Sequence, residues 1–494
     1  MSTIHSRNTR DPSLHQALIP PLFLVGLLTC SIRLFGNTAS NGPNQIALIL
    51  AAGVAIIIGL LNGHRWKELE NGITQGISLA MGAILILLVV GSLIGSWILA
   101  GIVPTMIYYG LKILVPSVFY AAACVICALV SLVTGSSWTT AGTIGIALIG
   151  IATAQDLNLG LAAGAILSGA YFGDKMSPLS ETTNLAPAVA GTNLFTHIRH
   201  MFWTTAPSIT LALILFVIAG LFSTNPQNKD DLDPILLALE NQFEIGPHLL
   251  IPVVFVLILV IRKIPAFPAL LLGTLAGGLF AVFFQHKAVL TYVGETDLPT
   301  GWALLQGVWM VFYGGFELHS GNALLDNLLS RGGMSSMLLT VWLVISAMMF
   351  GAVLETTRIL QTIGAAILGL AKGTGSLISS TLLTCIGTNM LAADQYISIV
   401  LPGRLFRVEY QKRQIESKNL SRALEDGGTL TSVLIPWNTC GVFMSQTLGV
   451  TTLIYAPYCF FNLINLVVAT IYSFTGSTTG KLPKSYSDEK SSLV

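Results

Sequence analysis

The chain has 494 residues, 53% of them hydrophobic and only 10% charged, where an average soluble domain carries roughly 25% charged residues. A soluble chain of this length forms several cores under a charged surface, and too few charges are present to make one. A net charge of +1 excludes the concentrated basic face that nucleic acid requires, and six scattered cysteines exclude a disulfide scaffold. What remains is an all-α polytopic membrane protein.

A crossing helix needs about 20 mostly apolar residues. A polar N-terminal tail, 1–16, carries Arg7 and Arg10. It leads into Ala17–Phe35, which has no small-residue cleavage site and reads as an uncleaved first span. Ile46–Leu61, Leu79–Gly101, Val118–Val133, Thr143–Ala154, Leu159–Phe172 and Pro207–Phe222 complete a first transmembrane half over 17–222. An acidic linker, 223–246, sets Asp230, Asp231, Asp233, Glu240 and Glu244 against Lys229. A second half, 247–476, offers Leu249–Ile261, Pro268–Phe284, Leu338–Leu354, Ile378–Cys385 with its continuation, and Leu453–Phe474, before a polar tail at 477–494. The expectation is about 10–12 transmembrane helices. Lys and Arg mark cytoplasmic loops, so Pro402–Arg422 reads as a cytoplasmic loop and the acidic linker as external.

Two regions break the apolar pattern with small polar residues: Thr134–Thr143, and Thr384–Asn389 with Ala392-Ala393-Asp394 just beyond. Unwound backbone inside a bilayer is tolerated only where protein or a water-filled cavity satisfies it, and transporters use such breaks to hold ions near the midplane. A shift of 252 residues pairs Gly135 with Gly387, Ser136 with Thr388, Asp174 with Asp426, Ser177 with Thr429 and Ser180 with Ser432, an echo that suggests two repeats.

A charged side chain that cannot reach an interface costs several kcal/mol in a membrane and is a functional candidate by default. Asp394, next to the Gly387-Thr388-Asn389 break, is the strongest. Asp174 and Glu181 flank a run rich in oxygen ligands, with Ser177, Ser180, Thr183 and Asn184 close by. Hydroxyl, amide and carboxylate oxygens are what a hard cation wants. One carboxylate binds either a proton or Na⁺ but not both well, which suffices to couple the two ions. A Pro-broken polar cluster, Thr431–Gly441, holds Asn438 and Thr439, with a helix-packing role as its alternative. Glu355 is a secondary candidate that lies three residues before Arg358 and is placed to pair with it. His197 and His200, with Arg199, Phe195, Phe202 and Trp203, read as an interfacial anchor. Cys124 and Cys127 sit in a uniformly apolar helix and read as packing residues. No P-loop or GxSxG motif is present, and nothing reads as an enzyme.

The blocks Thr134–Gly145 (TGSSWTTAGTIG), Gly173–Pro187 (GDKMSPLSETTNLAP), Ala393–Arg404 (ADQYISIVLPGR) and Asn419–Gly441 (NLSRALEDGGTLTSVLIPWNTCG) resemble the NhaC family of Na⁺/H⁺ antiporters, which also contains malate/lactate antiporters. Two positions depart from the family pattern: Glu181 stands where Asp is expected, and Val433 where Pro is expected. The resemblance implies a bacterial inner-membrane carrier and a homodimer. It also implies two pseudo-symmetric halves with interrupted or re-entrant helices, as in the wider ion-transporter superfamily. The expected activity is export of Na⁺ in exchange for H⁺ across the lipid bilayer, with no cofactor and no transition metal. Asp174 and Asp394 are the competing carboxylates, Glu181 lies near, and Ser136, Ser137, Thr388, Asn389 and Asn438 supply neutral oxygens to the Na⁺. The alternatives are an organic anion antiporter, such as one exchanging malate for lactate, and a passive ion channel.

Overall fold

In a computed structural model the protein is described over residues 9–222, 233–321 and 323–480. Arg7, the linker residues Lys229, Asp230 and Asp231, and the tail from 481 onward lie outside the described residues. Among the described residues nine helices are long and apolar enough to cross a membrane, or up to eleven if each of two bent pairs is one span. The chain is therefore a multi-pass, all-α membrane protein.

The first helix, α1 (Leu14–Phe35), starts at a reciprocal cap in which Ser13 Oγ accepts from Gln16 N and Gln16 Oε1 accepts from Ser13 N. It packs against α2 (Pro43–Leu61), whose Pro43 occupies the first turn, where its missing N–H costs nothing. The amphipathic α3 (Trp66–Leu79) leads to α4 (Met81–Leu99), which is buried along most of its length and followed by α5 (Ile102–Ile113). Next come α6 (Phe119–Thr134), α7 (Ser137–Thr140) and α8 (Ile146–Ala154), the last two joined through a π turn into one span, Ser137–Ala154.

Small residues decide how the next helix docks. Along α9 (Leu159–Met176), Gly169 and Gly173 lie against the backbone of α6. A Cβ on Gly169 would strike the carbonyl oxygen of Cys124, so Cys124 and Cys127 are packing residues on a close helix crossing. Gly169→Val is expected to push α9 off α6 and lower stability by about 1–3 kcal/mol. A thermal melt of the purified variant indistinguishable from wild type would contradict this packing.

A short helix, α10 (Glu181–Ala190), and the long α11 (Leu194–Phe222) close this part of the chain. On α11 the anchor reading is corrected. Phe195, Phe202 and Trp203 do face outward, but His197 and His200 are buried, and His197 Nδ1 lies 2.9 Å from Ser421 Oγ. A helix has two faces, and the aromatic residues and the histidines occupy opposite ones.

Part of the expected linker is helical, as α12 (Asp233–Gln242), and Glu240 bonds to Tyr108 of α5. Then follow α13 (Ile251–Ile261), α14 (Ala266–Phe284), α15 (His286–Val293), α16 (Thr300–Gly314) and α17 (Ala323–Leu329). Beyond α18 (Leu338–Thr356) and α19 (Ile359–Gly369) comes α20 (Thr374–Ala392). Arg358 pairs with Asp11 at 2.9 Å instead of with Glu355. The stretch expected as a charged loop is mostly helix: α21 (Gln395–Lys412) runs through it, and α22 (Ser417–Leu424) carries Arg422 into the interior. After a π turn and α23 (Leu430–Ser432) the chain unwinds, then finishes with α24 (Thr439–Leu448), α25 (Thr452–Tyr455) and α26 (Phe460–Thr475).

Candidate functional site

Four helix breaks position the site. The first follows Gly135, whose φ of 70° is left-handed and natural to glycine. Ser136 then caps α7, its Oγ accepting from Thr139 N at 3.1 Å. At the second, Ser180 caps α10 by accepting from Thr183 N at 3.3 Å. The third follows Ala393, left-handed at φ 57° although it carries a Cβ, a strained state that clusters at functional positions. Asp394 there caps α21, with Oδ1 accepting from Tyr396 N at 2.9 Å and Ile397 N at 3.0 Å. At the fourth, Asn438 caps α24 by accepting from Cys440 N at 3.0 Å.

These breaks recur at a fixed spacing that the sequence echo misplaced. Gly135 and Ala393, Ser136 and Asp394, and Ser180 and Asn438 are each 258 residues apart, not 252. The Gly387-Thr388-Asn389 segment is not a break. It lies inside continuous α20, where Thr388 Oγ1 donates to Thr384 O at 2.8 Å. One glycine costs a helix only about 1 kcal/mol, and a hydroxyl that bonds back to its own helix exposes no backbone.

The breaks surround a cavity of about 750 Å³. Asp174 and Asp394 line it from different breaks, together with Ser136, Ser180, Glu181, Asn184 and Thr439. Asp174 sits at the first turn of α7, with Oδ2 accepting from Ser137 N at 3.2 Å and Ser137 Oγ at 2.7 Å. Both aspartates thus face the N-terminal ends of half-helices, where the peptide dipoles favour negative charge. Glu181 accepts from the Tyr396 hydroxyl, which joins α10 to α21 at the cavity edge. Trp138 lines the wall and stacks on Phe443 with ring centroids 4.1 Å apart. Lys263 is the one basic side chain among the described lining residues.

Other sequence candidates support the site from behind. Asn389 donates to Gly428 O at 2.6 Å and to Thr431 Oγ1 at 3.0 Å, and Asn438 Nδ2 donates to Asn389 Oδ1 at 3.0 Å. This amide bracket, with Thr439 N donating to Ala393 O at 2.9 Å, locks the third break to the fourth. Thr388, Asn389 and Asn438 therefore do not line the cavity. Ser177 accepts from Leu179 N, and Thr183 donates to the carbonyls of Asp174 and Lys175, which secures the turn after α9. Glu355, half-buried on α18, is also absent from the lining.

Sequence reasoning missed a second polar cluster. Lys175 pairs with Asp426, and neither has any exposure. Glu425 and Arg422 are buried beside them. Part of the signal was present, because Lys175 shares the apolar flank of Asp174, whereas Glu425 and Asp426 follow the polar α22 and look solvated in the sequence.

Broken helices that converge on a carboxylate-lined cavity inside a bundle of membrane spans define a class, the membrane transporters built on interrupted helices. Comparison with known proteins narrows it. A family model described as the Na⁺/H⁺ antiporter family matches residues 169–477, and the chain belongs to that family. The Na(+)/H(+) antiporter NhaC of Alkalihalophilus pseudofirmus is 38% identical over 437 residues, covering 88% of this chain and 91% of that one. The malate-2H(+)/Na(+)-lactate antiporter of Bacillus subtilis is 35% identical over 472 residues, covering 95% and 96%. The arginine/ornithine antiporter ArcD of Halobacterium salinarum is 36% identical over 474 residues, covering 94% and 93%.

Proposed function

We propose that the protein exports Na⁺ in exchange for protons, as a homodimer in a bacterial cytoplasmic membrane. The observation that carries this reading is the placement of Asp174 and Asp394, from different helix breaks, on one oxygen-rich cavity. An ionised carboxylate at this depth costs several kcal/mol unless something neutralises it. A proton does so on one oxygen; Na⁺ does so by drawing on carboxylate, hydroxyl and carbonyl oxygens together. Each excludes the other, so a carrier that reorients only when neutralised exchanges the two. Ser136, on the cavity wall, supplies a neutral oxygen, Ser137 holds Asp174 from behind the wall, and the amide bracket of Asn389 and Asn438 keeps Asp394 in position.

A second reading has a specific observation behind it. A cavity of about 750 Å³ is larger than a bare ion needs and falls within the range of small-molecule sites, roughly 300–1,000 Å³. Lys263 and the half-helix N-termini suit a carboxylate group, and the relatives include antiporters named for malate and lactate and for arginine and ornithine. Three acidic side chains against one lysine on the wall favour a cation as the primary cargo.

The test is internal pH in proteoliposomes of the purified protein after addition of Na⁺, with and without malate, lactate or arginine. Proton movement driven by Na⁺ alone supports the cation antiporter. Silence until an organic solute is supplied makes the protein a metabolite exchanger. Na⁺ flux without proton movement makes it a channel.

A further inference from the structure

The buried cluster behind the cavity has no part in the exchange described above, yet it is joined to the cavity. Glu425 opens the π turn Glu425–Thr429, a widened turn of the kind that recurs at functional sites. Its side chain has no exposure. Oε1 accepts from Thr182 Oγ1 at 3.0 Å, and Oε2 has no hydrogen-bond partner among the described residues. Thr182 Oγ1 in turn lies 3.2 Å from Ser180 Oγ, and Ser180 and Thr182 both line the cavity. Two hydroxyls in series therefore lead from the cavity wall to an otherwise unpartnered carboxylate.

The nearest polar contacts run to Asp426. Lys175, from α9, pairs with it; Thr204, from α11, donates to it at 3.4 Å; and Arg422 Nε lies 4.0 Å away. Among the described residues Glu425 accepts a close hydrogen bond from the Thr182 hydroxyl, with the Thr429 hydroxyl also near it. The other groups facing this cluster are Asp174 on α9, His197 and His200 on α11, Cys385 on α20, Tyr410 on α21, Thr429 in the π turn, and Asn465 and Tyr472 on α26. With the histidines uncharged, Lys175 and Arg422 balance Asp426 and an ionised Glu425, and protonation of Glu425 changes the balance by one charge. Because the lysine is held by Asp426, the cluster keeps its geometry in both states.

We propose that Glu425 is a second proton site, filled from the cavity through Ser180 and Thr182, so that each transport cycle moves one proton beyond the one exchanged at Asp174 and Asp394. On uptake, cavity water gives a proton to Ser180 Oγ as Ser180 passes its own to Thr182. Thr182 passes its proton to Glu425 Oε1, forming a carboxylic acid, and both hydroxyls reset by rotation. Release reverses the sequence. The cation never touches Glu425. The proposal rests on the Na⁺/H⁺ reading.

The experiment is the H⁺/Na⁺ ratio, found in proteoliposomes as the proton gradient that just stops a known Na⁺ gradient from driving exchange. Glu425→Gln is expected to lower that ratio by one while the apparent Na⁺ affinity is retained. An active Glu425→Gln with the wild-type ratio overturns the proposal, as does a wild-type ratio of one. No Na⁺-driven proton movement in the wild type overturns the Na⁺/H⁺ reading itself. If Glu425→Gln is inactive, infrared difference spectra between neutral and acid pH decide: a carboxylic-acid C=O band seen in the wild type should be lost from the variant, and its persistence overturns the proposal. If Glu425→Gln does not fold, Thr182→Val is expected to slow proton uptake, and wild-type proton-uptake kinetics in that variant overturn it.

Discussion

Asp394→Asn is expected to abolish Na⁺-driven proton movement in proteoliposomes while the protein still folds and inserts. The two effects separate because Asp394 has two jobs. Its Oδ1 caps α21 by accepting from Tyr396 N and Ile397 N. Asparagine ranks with aspartate as an N-cap and keeps an oxygen there, so the break at Ala393 and the register of α21 survive. What is lost is the charge. A carboxylate that binds a cation in a site shielded from water contributes about 3 kcal/mol, roughly 100-fold in apparent Na⁺ affinity, and a neutral amide carries no proton. Asp394→Ala is the control: it removes the cap as well, at about 1 kcal/mol, and should melt below Asp394→Asn. Antiport at the wild-type rate in Asp394→Asn would remove this residue from the mechanism.

The largest expected loss of stability comes from Lys175→Met. Lys175 and Asp426 are both fully buried, and removing one partner of such a pair leaves an uncompensated charge at a cost of about 3–5 kcal/mol. Arg422 Nε, 4.0 Å from Asp426, is too distant to replace the lysine contact. The variant should melt several degrees below wild type or fail to give monodisperse protein. Lys175→Met combined with Asp426→Leu should recover most of the loss, because an apolar pair of similar volume is often as stable as the ion pair. Lys175→Met melting with the wild type would mean that Asp426 needs no countercharge.

Asp174 and Asp394 stood out in the sequence because a carboxylate in apolar flanks has few bland explanations in a membrane, and both line the cavity. It also found the first break, since Gly135 is the residue that a left-handed turn prefers. The third break escaped it. Ala393 adopts the same conformation without being a glycine, whereas Gly387 looks like a breaker and stays helical. The error moved the echo from its true spacing of 258 residues to 252 and promoted Thr388 to a ligand. Asn389 and Asn438 were rightly singled out as polar groups within spans, yet their amides bind each other and not the cavity. His197 and His200 were assigned to the surface by their aromatic neighbours, which face the other way.

Composition, hydropathy and the four motif blocks by themselves determined that this is a polytopic membrane protein of the antiporter family, and they singled out two aspartates that the fold brings to one cavity. These are local properties, since the transfer cost of a side chain and the length of an apolar run do not depend on what lies across the fold. Only the tertiary structure decided which oxygens face the cavity, which amides lock the breaks together, and that Lys175 meets Asp426. Lys175 and Asp426 are 251 residues apart in the chain. A buried charge acquires its partner only when the backbone has folded, and no local pattern at either residue encodes the other.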